Sequence, residues 1–292
     1  MINIAFIGLG VMGSSIASHL LNKNVRLTIY NRSKKKCLKF KRKYKNYLIK
    51  IVDSPLLIAK DNRFIFSCVG NDEDIKEIYL SKKGIINNLE EETYIIDHTT
   101  SSSEIAIQSF KEFKRKKSYF LDAPVSGGEI GAKKGELSIM VGGEKKAFNK
   151  IKKFLNNYSK SLIYMGKSGS GQTAKMVNQI CVSAIIQGLS EGLNFGKVQG
   201  LEINNLLKAI SNGAAQSWQM DNRALTMWKN KFNFGFMNKW MHKDLKIIKT
   251  SAKNSGISIP ITNKILNYYS KLIEKGYDKD DTSSLIRLLN KK

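Results

Sequence analysis

Cysteine and histidine are scarce in this chain of 292 residues, at three each. Cys37, Cys68 and Cys181 are odd in number and far apart, so no disulfide framework is expected, and a reducing, cytoplasmic setting is. His19, His98 and His242 keep no metal-ligand spacing with cysteines or carboxylates, so no metal site is expected. No run approaches the ~18 consecutive apolar residues that a membrane span requires. A strand-like run already begins at Ile2, and no secretory leader is expected. Acidic residues are short as well, 24 against 49 lysines and arginines, for a formal net charge of +25. Such a surplus suits a nucleic-acid partner. Here, however, the cations are mostly Lys scattered among Asn and Ile. The densest runs, SKKKCLKFKRKYK (33–45) and KEFKRKK (111–117), interleave apolar residues at helical spacing. Solvated helix faces account for them. The pattern argues against nucleic acid and leaves room for small anionic molecules.

What is present is an alternation. Short β-branched or aromatic runs at 2–9, 25–30, 63–69, 93–98, 119–124 and 137–143 are mostly separated by stretches of helical periodicity. Strands alternating with helices predict an α/β protein with a parallel, doubly wound sheet. Asp53-Ser54-Pro55 ahead of LLIAKD reads as a helix start. Past about residue 165 the loop GKSGSGQTA (166–174) leads into one long helix, read from Gln172 to Val198. It would span roughly 40 Å at ~1.5 Å per residue. Helical periodicity then runs to the end, with no internal repeat and no low-complexity linker.

IAFIGLGVMGSSIASHLL (4–21) carries the first chemical signal. Gly8, Gly10 and Gly13 form G-x-G-x-x-G between a strand run and a helix, with Leu9, Val11 and Met12 filling the loop. Alone, the pattern is a glycine turn that many proteins use. At the opening of the first βαβ unit it reads as a dinucleotide cradle. The first glycine permits the tight turn, the second lets a pyrophosphate approach the backbone, and the third lets helix and strand pack closely. An NAD site places Asp or Glu at the end of the second strand. This chain has Asn31-Arg32-Ser33, which lacks that carboxylate and offers a guanidinium to a 2′-phosphate. NADP(H) is therefore expected as the preferred cofactor, with NAD(H) the second option.

Two further segments could act on what is held. In DAPVSGGEIGAKKGELSIMVGG (122–143), Ser126, Gly127 and Gly128 offer a hydroxyl and exposed N–H groups that can hold a carboxylate, although a bland loop fits them too. In GQTAKMVNQ, Lys175 and Asn178 stand i, i+3 on one helix face. A lysine in a cleft can protonate an alkoxide as a carbonyl is reduced, and Asn178 could orient the oxygen or the amine. On spacing alone, an exposed lysine on a Lys-rich helix is the stronger reading of Lys175.

Taken in order, GLGVMG, DAPVSGG with LSIMVGG, GSGQTAKMVNQ and WMHKDL (240–245) make the chain resemble the β-hydroxyacid dehydrogenases from residue 2 to about 289. The resemblance implies an N-terminal Rossmann-type domain over 1–164, a long connecting helix, and a C-terminal all-α substrate and dimerisation domain over 165–292. It implies hydride exchange between NAD(P) and a small hydroxy acid or semialdehyde of the glyoxylate, succinic semialdehyde, tartronate semialdehyde or 3-hydroxyisobutyrate type. Lys175 would be the acid/base and Asn178 its partner. Ser126, Gly127 and Gly128 would bind the substrate carboxylate beside Thr100. Phe236, Lys243 and Asp244 would close over the ligands from the helical domain. Val69, Thr100 and Lys243 would join the cofactor contacts. A homodimer or homotetramer is implied, and Asn31-Arg32-Ser33 is similar to the NADP-preferring branch. TTSSS (99–103) departs from the family pattern, and SWQMDNR (217–223) matches no substrate signature. 6-Phosphogluconate dehydrogenases carry His-Asn where this chain has Asn178-Gln179, and imine reductases replace the lysine. The alternative is a non-catalytic oligomeric scaffold of the same fold that binds an acidic partner such as nucleic acid. The intact Lys175 and glycine loop argue against it.

Overall fold

A computed structural model describes residues 1–289, and the chain divides into two compact units, Met1–Lys175 and Met176–Lys292. The first is built on β1 (Ile2–Ile7), β2 (Val25–Tyr30), β3 (Leu48–Ile51), β4 (Phe64–Ser67), β5 (Tyr94–Asp97) and β6 (Tyr119–Asp122), all parallel, in the order β3-β2-β1-β4-β5-β6. Helices α1 (Val11–His19), α2 (Lys34–Lys43), α3 (Leu56–Ala59), α4 (Asp72–Leu80) and α5 (Ser103–Arg115) form the crossovers. Parallel strands covered on both faces read as unbroken apolar runs, and every residue of FIFS in β4 and YIID in β5 is buried. Along β1, Ile4 and Phe6 enter one core while Ala5 and Ile7 enter the other, as the two-residue pleat demands.

The sheet departs from the expected all-parallel form beyond β6. It continues through β7 (Val125–Ser126), α6 (Gly128–Lys134), β8 (Leu137–Gly142), α7 (Lys145–Leu155) and β9 (Ser159–Gly166). Strand β8 runs antiparallel to β6 and β7, and β9 lies parallel to β8. The short link from Ser126 to Leu137 is below the dozen or more residues that a parallel crossover takes, so the chain turns back. Strands β3 and β9 carry Lys50 and Lys160 within weak apolar patterns and were not expected. The helix read from Asp53-Ser54-Pro55 amounts to the four residues of α3.

The long helix α8 runs from Ser170 to Val198, two residues longer at its start than its periodicity suggested. Its N-terminus is held by Asp122 at the end of β6, which is fully buried. Oδ1 accepts from Gly169 N at 2.8 Å and Oδ2 from Gln172 N at 3.0 Å. Helix α8 has no acid in its own first turn, so this carboxylate satisfies orphan N–H groups there and complements the positive end of its dipole. Gln172 ties the same turn to the loop after β5, accepting from Ser101 N at 3.0 Å and donating to Thr99 O at 2.7 Å. The approach is close enough that a Cβ on Gly171 would lie 2.5 Å from Met140 O and 2.6 Å from Asp122 O.

The second unit is helical. The rest of α8 is followed by α9 (Ile203–Ile210), α10 (Trp218–Trp228), α11 (Asn238–Asn254), α12 (Pro260–Glu274) and a 3-10 turn (Thr282–Leu288). Met176, Ile186, Met241, Leu245 and Tyr269 belong to one core, and Leu193, Met220, Met227 and Ile286 to a second. No helix among the described residues is long and apolar enough to cross a membrane.

The glycines of α8 provide a contrast. Gly171→Ala is expected to destabilise by about 1–3 kcal/mol through overpacking. Gly188→Ala, where a Cβ meets nothing within 4 Å, should stabilise by about 0.5–1 kcal/mol through helix propensity. Thermal melts of the two variants should move in opposite directions, by roughly 2–4 °C per kcal/mol. A shared direction would refute the close-packing account.

Candidate active site

The strand order reverses between β1 and β4, and ligands in such sheets bind outside the carboxyl ends of the strands at that switch point. Gly8 follows β1, Asn31 follows β2, Val69 lies just past β4 and Thr100 just past β5, so these candidates share that edge. Gly8 sits at φ +93°, and a Cβ there would be 2.3 Å from Cys68 O; one on Gly13 would be 1.9 Å from Gly8 O. Gly10 is different. Among the described residues nothing lies within 4 Å of its Cβ position. It is the N-cap of α1, without a side-chain cap and with no acid in the first turn, which includes Val11 and Met12. Open space at an uncapped helix N-terminus fits the pyrophosphate of a nicotinamide dinucleotide. Asn31 braces this loop: Leu9 N donates to its Oδ1 at 2.8 Å, and its Nδ2 donates to Ser33 O at 3.1 Å.

The rim at the end of β2 is not free of carboxylate, as the local sequence suggested. Arg32 Nη1 lies 3.2 Å from Asp74 Oδ1, and Lys34 Nζ 2.7 Å from Asp53 Oδ1. A cavity of about 220 Å³ beside them is lined by Tyr30, Arg32, Lys34, Cys37 and Asp53 among others. Both acids come from elsewhere in the chain, so a window around Arg32 could not reveal them.

Behind the rim lies a buried polar network. Thr99 Oγ1 accepts from Val69 N at 2.9 Å and donates to Asp97 Oδ1 at 2.6 Å, and Ser67 Oγ donates to the same oxygen at 2.7 Å. Ser67 also bonds the Tyr79 hydroxyl. Burial pushes the Asp97 carboxyl up to about 6, against the pull of Thr99 and Ser67. Burial does the same to Asp122, also to about 6, opposed by the N–H groups of Gly169 and Gln172. His98 is engaged on both ring nitrogens, by Ala123 O at 2.7 Å and the Tyr158 hydroxyl at 2.9 Å, and burial lowers it to about 4.

Ser126 ends β7, and Gly127 (φ +125°) and Gly128 (φ +61°) follow in the left-handed region that favours glycine. Lys175 is only 7% exposed, against the reading that spacing alone favoured. It shares a buried face with Gln172 one turn before it and Gln179 one turn after. In the second unit, Asn178 Nδ2 donates to Gln179 Oε1 at 2.8 Å, and Gln179 Nε2 donates to Asp244 Oδ2 at 2.7 Å. Asp244 is 2% exposed, with Lys243 Nζ 3.1 Å from its Oδ1. The structure thus joins Asn178, Lys243 and Asp244 through Gln179, which was not singled out as a site residue.

The loop that carries Phe236 is fixed by Asp281, whose Oδ2 accepts from Phe236 N at 2.9 Å. Arg223 Nε lies 3.4 Å from Asp281 Oδ1, with its guanidinium 4.9 Å from the rings of both Trp218 and Phe234. SWQMDNR therefore has a structural task. Ser217 caps α10, and Trp218 and Arg223 anchor the Phe236 loop.

A doubly wound sheet with a glycine cradle at its switch point defines a dinucleotide-binding protein. Residues 3–166 match the family described as the NAD binding domain of 6-phosphogluconate dehydrogenase, and residues 169–289 that described as NAD-binding of NADP-dependent 3-hydroxyisobutyrate dehydrogenase. An uncharacterized oxidoreductase of Shewanella frigidimarina (strain NCIMB 400) is 40% identical over 291 residues, covering 100% of this chain and 99% of the relative. The mitochondrial 3-hydroxyisobutyrate dehydrogenase of Rattus norvegicus is 28% identical, covering 98% and 86% respectively. The 3-hydroxyisobutyrate dehydrogenase of Mycobacterium tuberculosis, solved with L-serine, shares the fold at a TM-score of 0.89 and 22% identity, over 100% of both chains. The chain belongs to the β-hydroxyacid dehydrogenase family. It is an NAD(P)-dependent hydroxyacid dehydrogenase of the 3-hydroxyisobutyrate dehydrogenase type. Nothing in these likenesses supports the scaffold alternative.

The buried acids give a pH prediction. Asp97 and Asp122 rise from 3.8 to about 6 on folding, so the folded state holds extra protons between about pH 4 and 6. Their contribution to stability is greatest below that window, declines as pH rises through it and is flat above. Asp97→Asn keeps the oxygen that accepts from Ser67 and Thr99 but does not ionise. Its unfolding free energy, from denaturant titrations, should gain on the wild type by about 1–3 kcal/mol between pH 4 and pH 7. A difference that ignores pH would show that Asp97 is not the linked group.

Proposed function

We propose that this chain is an NADP(H)-preferring oxidoreductase in which Lys175 moves the proton at the substrate oxygen. The substrate is a small carboxylate bearing a carbonyl or hydroxyl, in the range of glyoxylate, succinic semialdehyde, tartronate semialdehyde and 3-hydroxyisobutyrate. The observation that carries this reading is the burial of Lys175 on a helix clamped to the carboxyl end of β6 by Asp122. A lysine this deeply buried is rare in a folded chain.

When bound, the nicotinamide supplies hydride to the carbonyl carbon or takes it from the alcohol carbon. In reduction, Lys175 Nζ gives a proton to the oxygen as it gains charge; in oxidation, the neutral amine takes the hydroxyl proton. Asn178, its amide oriented by Gln179 and Asp244, steers that oxygen or the amine. The Ser126 hydroxyl and the backbone of Gly127 and Gly128 hold the carboxylate, beside Thr100. Phe236 lends an apolar surface, and Asp244 acts as a positioning residue through Gln179. Gly8, Leu9, Gly10, Val11, Met12 and Gly13 cradle the pyrophosphate. Arg32 and Ser33 take the 2′-phosphate, and Val69 and Lys243 complete the cofactor contacts. On this reading residues 1–164 form the cofactor domain, which also holds the substrate carboxylate, and residues 165–292 supply further substrate contacts and assembly into a homodimer or homotetramer. The exposed Phe195 and Val198 on α8 suit such assembly.

The test is nicotinamide oxidation with NADPH and NADH against glyoxylate and the succinic, tartronate and methylmalonate semialdehydes. Lys175→Ala should lower kcat with the best substrate by ~100-fold or more. Arg32→Ala should raise KM for NADPH far more than for NADH. Near-normal turnover by Lys175→Ala would remove the acid/base role, and equal effects of Arg32→Ala on both cofactors would remove the 2′-phosphate assignment.

A further inference from the structure

The carboxylate on Arg32 is better anchored than the guanidinium it meets. Asp74 lies in the first turn of α4, where its backbone N–H donates to the N-cap side chain of Asn71 at 2.9 Å. Its Oδ2 accepts from Gly70 N at 3.0 Å, which leaves Oδ1 turned toward Arg32 at 3.2 Å. The Asp74 side chain is 25% exposed and that of Arg32 is 79% exposed. Gly70 and Asn71 lie three and four residues past the end of β4 and hold the acid at the start of α4, while the more exposed guanidinium is the movable member of the pair.

We infer that Asp74 is a specificity-determining residue for the cofactor, because it competes with a 2′-phosphate for Arg32. The inference rests on the reading of Arg32 given above. A ribose 2′-hydroxyl can donate to a carboxylate, which is how the acid at the end of the second strand serves NAD in other dinucleotide sites. This chain has Asn31 in that stretch, and Asp74 brings the carboxylate back from the far side of the switch point. A 2′-phosphate must draw Arg32 away from Asp74 and then lie near a fixed negative charge. The same side chain therefore favours NADH and opposes NADPH. An exposed ion pair contributes little in itself, so Asp74 weakens the preference for NADPH without reversing it.

The experiment is direct titration of the substrate-free full chain with NADPH and with NADH, read by quenching of tryptophan fluorescence. It compares the wild type with Asp74→Asn, Asp74→Ser, Arg32→Ala and the double variant Arg32→Ala/Asp74→Asn. Asparagine keeps an acceptor for Gly70 N, and the serine variant is a second route to neutrality; melting curves check that each folds. Asp74→Asn should tighten NADPH by about 5-fold and leave NADH unchanged or weaker, an electrostatic gain that shrinks with added salt. In the Arg32→Ala background the gain should fall below about 2-fold, since the competition is then gone and only a solvent-screened repulsion remains. Equal tightening of both cofactors, or no change in either, overturns the role of Asp74. Arg32→Ala without effect on NADPH would instead overturn the 2′-phosphate reading. A clear Arg32→Ala effect with a silent Asp74→Asn would spare that reading and sink only this inference.

Discussion

Much of the first unit's chemistry depends on one carboxylate that has left water. A helix of 29 residues begins with unpaired N–H groups, and the first turn of α8 carries no acid to meet them. Asp122 meets them from the end of β6, accepting from Gly169 and Gln172, and Gln172 passes the constraint on to Thr99 and Ser101. The arrangement needs glycine at 142 and 171, where a Cβ would stand 2.7 Å and 2.8 Å from an Asp122 carboxylate oxygen. Burial works against the charge on Asp122, and the N–H groups around it work in its favour. Lys175, one turn further along, takes its position from this clamp, so it is placed by the sheet and not by a loop.

The fold was legible where the pattern was local. The run-glycine-helix opening, the alternation of apolar runs with helices and the long helix after GSGQ all appear in the structure because each follows from short-range periodicity and turn chemistry. Strand β9 was not legible, since its outward positions put Ile163 and Met165 in solvent and blur the alternation. The burial of Lys175 was hidden for the opposite reason. The buried face of α8 carries Gln172, Lys175, Gln179, Ser183 and Ser190, while Val177, Ile185 and Phe195 are exposed. Met176, Ile186 and Leu193 are buried along the same helix, so apolar periodicity gives α8 no single clean face.

The candidate site was legible in its residue types and not in its pairings. Asn31 marks the absence of an acid after β2, but its amide is there to bridge Leu9 N and Ser33 O, a task a carboxylate could not perform because it cannot donate. The acid that matters to Arg32 lies 42 residues later. Other pairs are similarly remote: Gln179, which Asn178 bonds, reaches Asp244, and Asp281 holds the Phe236 loop with Arg223. Long-range pairs of this kind are set by the fold, and no spacing rule in a single sequence contains them.

The charge imbalance gives these pairs a common logic. With 49 basic residues against 24 acids, the chain attracts anions of every sort, and a lysine on the surface distinguishes none of them. Many of its ion pairs, such as Arg63–Glu92 and Lys117–Glu91, are solvent-exposed and contribute little. Four other acids are buried or anchored: Asp97 behind Val69, Asp122 under α8, Asp244 on Gln179 and Lys243, Asp74 on Arg32. Each fixes a donor or cancels a cation at one place in a broadly positive field. Specificity is a difference of affinities, and in a uniformly attractive field the difference arises where attraction is locally withdrawn. On the proposed reading, selectivity among small anions is governed less by where the lysines are than by where the few fixed carboxylates stand.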